Sequence, residues 1–430
     1  MRIAIYTLGC KVNQYETQAM ETILRERGHT LVGFDEAADA YIVNTCTVTA
    51  VSDKKSRQAI RRAQRLSPDA VVAVCGCYAQ TTPEDIEALG VDLISGTGDR
   101  IGFLDELERT VRGRQQVHVD AVMRRREFEF LPAGGLDGRT RAMLKVEDGC
   151  VNFCTYCAIP YARGPVRSLP LEQAVCEAKR LVGEGYRELV LTGIEISSWG
   201  KDLRQGTSLI DLVEAVCRAA PELRIRLGSL EPRTITEDFC ARASALANLC
   251  PHFHLSLQSG CDATLQRMNR KYDTARYLRS CALLRQYFDR PAITTDLIVG
   301  FPGETEEEFG QTLDFLRAAR FAAMHIFPYS RRSGTPACDF PDQVPTAVKE
   351  ERAHRAAAVA EALEADYLSG FLGQTVPVLF EEEKDGLWRG HAPNYIEVRA
   401  EGENLHNELR PVCIQSICGS LLRGTVVREA

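Results

Sequence analysis

Asp148-Gly-Cys-Val-Asn-Phe-Cys-Thr-Tyr-Cys157 holds three cysteines separated by three residues and then by two. The stretch follows an apolar strand pattern at residues 141–146, so Cys150, Cys154 and Cys157 fall in one loop at a strand end. Thiolates this close suit three corners of a cubane [4Fe–4S] cluster, which leaves one iron open to a small molecule. The alternative is a zinc knuckle or incidental cysteines. Zinc wants a fourth ligand, and no His or Cys lies between Cys157 and Cys176.

Downstream of the triplet, helical patterns alternate with short apolar runs at 188–191, 224–227, 252–257, 293–299 and 323–327. About six βα units make a partial, TIM-like barrel, whose active site gathers at the carboxyl ends of the strands. The cysteine spacing resembles that of the radical S-adenosylmethionine superfamily, which implies that the open iron takes the amino and carboxylate groups of S-adenosylmethionine. Tyr156 would then support the adenine. Gly193, Ser256 and Gln258, at strand ends, would meet the ribose or methionyl part, with Asp296 facing inward nearby. Plain barrel packing or turn chemistry is the alternative for each.

Upstream, residues 1–115 alternate strands (2–8, 40–45, 70–74, 91–95) with helices (13–27, 50–66, 83–89, 101–112). Solidly apolar strands in such an alternation predict a doubly wound parallel sheet. Cys10, Cys46 and Cys77 each come just past a strand end, on the edge where open α/β sheets bind ligands. Cys75 competes with Cys77 but sits inside the apolar run, where a buried thiol is the ordinary reading. Spacing alone leaves open three unrelated buried cysteines. The helix at 50–66 carries Lys54, Lys55, Arg57, Arg61, Arg62 and Arg65. This is either a solvated face or a phosphate contact.

The chain has 430 residues, 45% hydrophobic and 26% charged, with a net charge of −7. That length predicts two to four domains, and the charge excludes a generic nucleic-acid binder, so RNA would need a local basic patch. Sixteen cysteines without a signal-peptide pattern or a membrane-length apolar run favour metal ligation over disulfides. The expectation is a cytoplasmic, oxygen-sensitive protein with no membrane contact.

Thr7-Leu-Gly-Cys-Lys-Val-Asn-Gln-Tyr-Glu16, Asn44-Thr-Cys-Thr-Val-Thr49 and Gly76-Cys-Tyr-Ala-Gln80 resemble the signatures of the methylthiotransferase family of radical S-adenosylmethionine enzymes. The resemblance covers nearly the whole chain. It implies a second [4Fe–4S] cluster on Cys10, Cys46 and Cys77. The residues after Cys10 are most like the branch acting on threonylcarbamoyladenosine in tRNA. Sister branches act on isopentenyladenosine or on a ribosomal-protein aspartate. The family resemblance also places Arg163 at the edge of the active site and matches Arg332 by position, while Ile194-Glu195 and Trp199 depart from the family's usual loop.

Residues 116–138, with Met123-Arg-Arg-Arg126 and Pro132-Ala-Gly-Gly135, read as a linker before a radical domain at 139–369. Residues 346–369 read as one long amphipathic helix, and 370–430 as five short strands. The latter resemble the TRAM module, a small RNA-gripping β-barrel, with Tyr395, Trp388, Arg389 and Arg399 as candidate RNA contacts.

The resemblance implies tRNA methylthiolation at adenine C2, beside the anticodon. It would consume two S-adenosylmethionine per turnover and need a sulfur donor and an electron donor such as flavodoxin or ferredoxin. The tRNA anticodon stem-loop would be the partner. An iron–sulfur RNA-binding protein without turnover is the reading from a different class.

Overall fold

The computed structural model describes residues 1–132, 134 and 140–427. Part of the expected linker, including Ala133 and Gly135, lies outside the described residues, as does the expected start of the radical domain at residue 139.

The N-terminal sheet has six strands: Arg2–Thr7 (β1), Thr30–Val32 (β2), Ala40–Thr45 (β3), Val71–Gly76 (β4), Leu93–Ser95 (β5) and Gln116–His118 (β6). All pairings are parallel, in the order β2-β1-β3-β4-β5-β6. Chain direction across the sheet reverses between β1 and β3, the switch point where such sheets open a ligand crevice. Helices Lys11–Glu26 (α1) and Ala50–Leu66 (α2) follow β1 and β3, and a short helix, Cys77–Thr81 (α3), follows β4. The Thr49 side chain accepts from the Ser52 amide and starts α2. Strands β2 and β6 are additions to the expected pattern, and β6 lies within the expected linker. Each is three residues long, too short for a period to register.

The barrel is open. Arg141–Lys145 (β7), Glu188–Thr192 (β10) and Arg224–Leu227 (β11) form one parallel sheet, and His252–His254 (β12), Ala292–Val299 (β13) and Ala323–Pro328 (β14) a second. A bridge from Leu230 to Leu255 joins them. Two-residue strands Glu147–Asp148 (β8) and Arg167–Ser168 (β9) flank the cysteine loop and pair antiparallel. The core of the barrel takes in Tyr15 and Ala19 of α1, so the N-terminal unit packs onto the β7 side. The helix Thr346–Ser369 covers the β14 side with Ala356 buried against it.

Five strands close the C-terminal barrel: Thr375–Lys384 (β15), Leu387–His391 (β16), Glu397–Glu401 (β17), Leu409–Cys418 (β18) and Leu421–Val426 (β19). Tyr395, expected to begin a strand, instead occupies the turn before β17 with φ +66°.

Candidate functional site

Cys10, Cys46 and Cys77 converge at the carboxyl edge of β1, β3 and β4. Cys10 is the residue before α1, Cys46 follows β3 directly, and Cys77 opens α3. The approach is close enough that a Cβ on Gly9, at φ +109°, would stand 2.9 Å from the Cys46 sulfur. Glycine is required there on both counts. Burial pushes the Cys46 thiol up and the Cys77 thiol up to about 12; negative charge on Cys10 adds to both, and negative charge on Cys46 adds to Cys77. Cys75 points the other way, into the core with Ile3, Leu93 and Phe103.

The second triplet sits in the loop between β8 and the helix Ile159–Arg163. Gly149 has φ +91°, and a Cβ there would lie 2.1 Å from the Pro165 carbonyl. The Cys150 amide donates to Gly164 O at 2.9 Å, and the Cys157 amide to Cys154 O at 2.9 Å. The amide of Asn152 points at the Cys150 sulfur (3.5 Å), as that of Val48 does at Cys46 (3.5 Å). Burial pushes the Cys150 thiol up and Cys157 up to about 12, with Cys154 adding to both. Among the described residues no His, Cys, Asp or Glu group is arranged to hold a single ion; cluster ligands bind separate irons and stand wider apart. Burial disfavours the free thiolates of Cys46, Cys77, Cys150 and Cys157, and a cationic cluster that takes each set of three as thiolates would relieve that cost.

A buried charge network joins the two sets. Arg163 is fully buried and donates to Glu16 of α1 and to Asn13 Oδ1 at 2.7 Å. Arg100 also donates to Glu16 at 3.0 Å. Lys145 lies 3.4 Å from both Glu16 and Asp148, and Arg167 is 3.2 Å from Asp148. Burial alone would raise the Glu16 carboxyl, but Arg163, Arg100 and Lys145 overcome it and hold Glu16 well below the carboxylate range. Arg332 makes a second clasp, donating to Asp53 and Thr47 beside Cys46, while the Ala50 amide donates to Ser330 Oγ at 3.2 Å.

Around the triplet, the four expected S-adenosylmethionine residues occupy different settings. Gly193 lies against Glu147, whose Oε2 would be 2.8 Å from a Cβ at residue 193. Ser256 and Gln258 are half-buried at the end of β12; Ser256 O accepts from Tyr272 (2.6 Å), and Gln258, at φ +73°, donates its amide to Asp296 O at 2.9 Å. Tyr156 is half-buried against the Phe301–Tyr329 cluster. Three further residues were missed or left without a role in the sequence. Glu147 is fully buried and accepts the Glu195 amide at 2.7 Å. One carboxyl oxygen of each of Glu147 and Glu195 is buried without a partner, and burial pushes both carboxyls up. This pair, beside Cys150, fits the ammonium of a bound amino acid. Arg270 places Nη1 3.2 Å from the Cys154 sulfur. It lies 116 residues downstream of that cysteine, and nothing local marks it.

The expected RNA contacts separate. On α2, Lys54, Lys55, Arg61 and Arg65 are exposed. Arg57 instead donates to Tyr78 OH at 2.7 Å, and Arg62 pairs with Asp35. In the linker, Arg125 is held by Asp120, Thr97 and Gln80, leaving Arg124 and Arg126 exposed. The C-terminal candidates are corrected. Trp388 is 9% exposed and belongs to the barrel core, with Nε1 donating to Gly402 O at 3.0 Å. Arg389 and Arg399 pair with Glu397, each at 3.0 Å. Tyr395 sits at the base of the large barrel under Arg226 (4.7 Å) and Arg141 (5.3 Å), stacked on His391 at 4.8 Å. The acidic Glu381 docks the same base, 2.6 Å from Arg141. Trp388 is thus spent on the core, while Tyr395, Arg389 and Arg399 are engaged by neighbours within the protein and Tyr395 remains 39% exposed.

Residues 2–96 match a family described as Uncharacterized protein family UPF0004, and residues 144–316 match the Radical SAM superfamily. The chain is 41% identical to the threonylcarbamoyladenosine tRNA methylthiotransferase MtaB of Bacillus subtilis (strain 168), over 93% of this chain and 90% of that protein. It is 36% identical to the protein of the same name in Thermotoga maritima, over 96% and 94%. It is 34% identical to a tRNA-2-methylthio-N(6)-dimethylallyladenosine synthase of Acetivibrio thermocellus, over 98% and 90%. Among solved structures, the radical S-adenosylmethionine methyltransferase TsrM of Kitasatospora setae shares the fold, with TM-score 0.55, 18% identity and coverage of 78% and 77%. No helix among the described residues is long and apolar enough to cross a membrane.

Proposed function

The chain belongs to the methylthiotransferase family of radical S-adenosylmethionine enzymes, and from that premise we propose that it converts N6-threonylcarbamoyladenosine at position 37 of tRNA, beside the anticodon, to its 2-methylthio derivative. The observation that supports the proposal is the buried Glu16–Arg163 ion pair, which ties the unit carrying Cys10, Cys46 and Cys77 to the one carrying Cys150, Cys154 and Cys157. The cofactors are [4Fe–4S] clusters and S-adenosylmethionine. Cys10, Cys46 and Cys77 would hold one cluster, and Cys150, Cys154 and Cys157 the other.

The C2–H bond of adenine has neither an acidic proton nor a leaving group, so ionic substitution is closed. The bound clusters and S-adenosylmethionine supply the electron, the carbon radical and the methyl-bearing sulfur that this bond requires. The chain's residues do the rest. The Glu147–Glu195 pair would take the ammonium of S-adenosylmethionine, with Gly193, Ser256, Gln258 and Tyr156 along its length. Arg270 would set the charge beside Cys154. Glu16 and Arg163 fix the distance between the two sites and keep water from the interface. The tRNA anticodon stem-loop would meet the exposed cations of α2. The reaction would also need an electron donor such as flavodoxin or ferredoxin and a sulfur donor, and a tRNA substrate is in keeping with a cytoplasmic protein.

Nucleoside analysis of tRNA from a strain lacking the gene tests this. The 2-methylthio form of threonylcarbamoyladenosine should vanish and return with the gene. Loss of the isopentenyl derivative instead would move the chain to the sister activity named for its Acetivibrio relative.

A further inference from the structure

We propose that Phe327 is the ring on which the target adenine stacks when the enzyme takes it from the anticodon loop. The inference rests on the RNA substrate proposed above and names the surface that receives the base.

Strand alternation defines the inner wall of the open barrel. On β14, Met324 and Ile326 pack against the core shared with the helices, so His325 and Phe327 face the lumen. On β13, Thr295, Leu297 and Val299 are buried, while Thr294, Asp296 and Ile298 are half-buried on the opposite face. Register pairs Asp296 with His325 and Ile298 with Phe327. Three rings rise in steps along this wall. His254 stands 6.3 Å from His325, and His325 stands 6.5 Å from Phe327. The lowest step is fixed, with His254 Nε2 3.3 Å from Asp296. The highest is open: Phe327, near the carboxyl end of β14, is 47% exposed. Single exposed apolar residues on an outer surface are ordinary. A phenyl ring left uncovered on the inner wall, at the edge where such barrels do their chemistry, offers a face to a ligand.

The neighbours of that ring point to the base. On one side, Ile298 follows Leu297, which bridges to Gln258, an expected S-adenosylmethionine contact. On the other, Ser330 accepts the Ala50 amide at 3.2 Å and Arg332 holds Thr47 and Asp53, so this strand end leads to the loop of Cys46. Val48 and Val51 are exposed across that clasp. Phe327 therefore lies between the strand end assigned to S-adenosylmethionine and the loop of Cys46, where adenine C2 must arrive. Enzymes that act on a base take it out of its stack, and an aromatic face replaces part of the stacking lost. Stacking needs only the π face of the adenine, so it serves whatever group N6 carries.

The test uses the reconstituted holoenzyme under anaerobic conditions and fluorescent anticodon stem-loops. One carries threonylcarbamoyladenosine at position 37, and one is abasic there. Wild type should bind the abasic RNA roughly 5- to 100-fold more weakly, the worth of one base on an aromatic ring. Phe327→Leu should show that same loss on the intact RNA and no further loss on the abasic one, and Phe327→Tyr should recover most of it. Iron content and affinity for S-adenosylmethionine should be equal in all three proteins. Phe327→Leu that binds the intact RNA as wild type does overturns the inference. So does an equal loss on both RNAs, which would mark a backbone contact, or a loss of S-adenosylmethionine affinity, which would give the ring to the cofactor. Product analysis tests the substrate reading separately. Methylthiolation of a dimethylallyladenosine stem-loop alone overturns that reading, while the binding comparison on that RNA still decides the stacking.

Discussion

Glu16, six residues after Cys10, and Arg163, six residues after Cys157, form a fully buried ion pair across the boundary between the N-terminal sheet and the barrel. Each cysteine set thus sends one charged residue to the same point, and the pair ties the separation of the sets to the fold of both units. Arg163→Met leaves Glu16 with fewer buried partners. It should cost about 3–5 kcal/mol in urea unfolding, whereas Glu16→Met with Arg163→Met together should cost less than the sum of the singles.

The base of the barrel should show in acid. Burial would raise the Glu188 carboxyl, but Arg226, Arg224 and Arg141 hold it down at about 2 against an ordinary 4.5. A carboxyl with a lowered folded pKa adds stability above its unfolded value and loses it as pH falls toward the folded one. Wild type should therefore lose about 3 kcal/mol from this group between pH 5 and pH 2. Glu188→Gln should be less stable at pH 6 and lack that part of the acid slope, measured on cluster-free protein so that iron loss does not enter.

The Arg270 guanidinium, 3.2 Å from the Cys154 sulfur, favours added negative charge beside it. Arg270→Ala should shift the potential of the cluster on the Cys150 set downward by tens of millivolts, on the order seen when a charge or hydrogen bond at cluster sulfur is lost. Redox titration followed by electron paramagnetic resonance reads it. An unchanged potential would separate this arginine from the cluster.

Gly149→Ala puts a methyl 2.1 Å from the Pro165 carbonyl at a φ of +91°. The loop must distort, and reconstituted iron should fall from about eight per chain to about four, the same loss as in a triple Cys→Ala of residues 150, 154 and 157. The triple variant at residues 10, 46 and 77 should lose the other half.

Much of this was legible along the chain because it is local. Three cysteines within eight residues state their own spacing, and alternating apolar runs place Cys10, Cys46 and Cys77 at strand ends whatever the helices between them do. Strands β2 and β6 escaped because three residues carry no measurable period. Trp388 and Tyr395 misled for a different reason. An aromatic in a small barrel reads as a stacking platform from composition, but Trp388 fills the core and Tyr395 is held under Arg226 and Arg141.

The sequence by itself determined the two sets of thiols and the strand edges that carry them, since ligand spacing and strand alternation are properties of contiguous residues. Tertiary structure alone decided that Glu16 meets Arg163 across 147 positions and that Arg270 reaches Cys154. Periodicity reports that a side chain is buried; it does not report what stands opposite. A buried charge is tolerated only where the fold supplies that opposite group, and the identity of the group is a fact about packing that residue order does not contain.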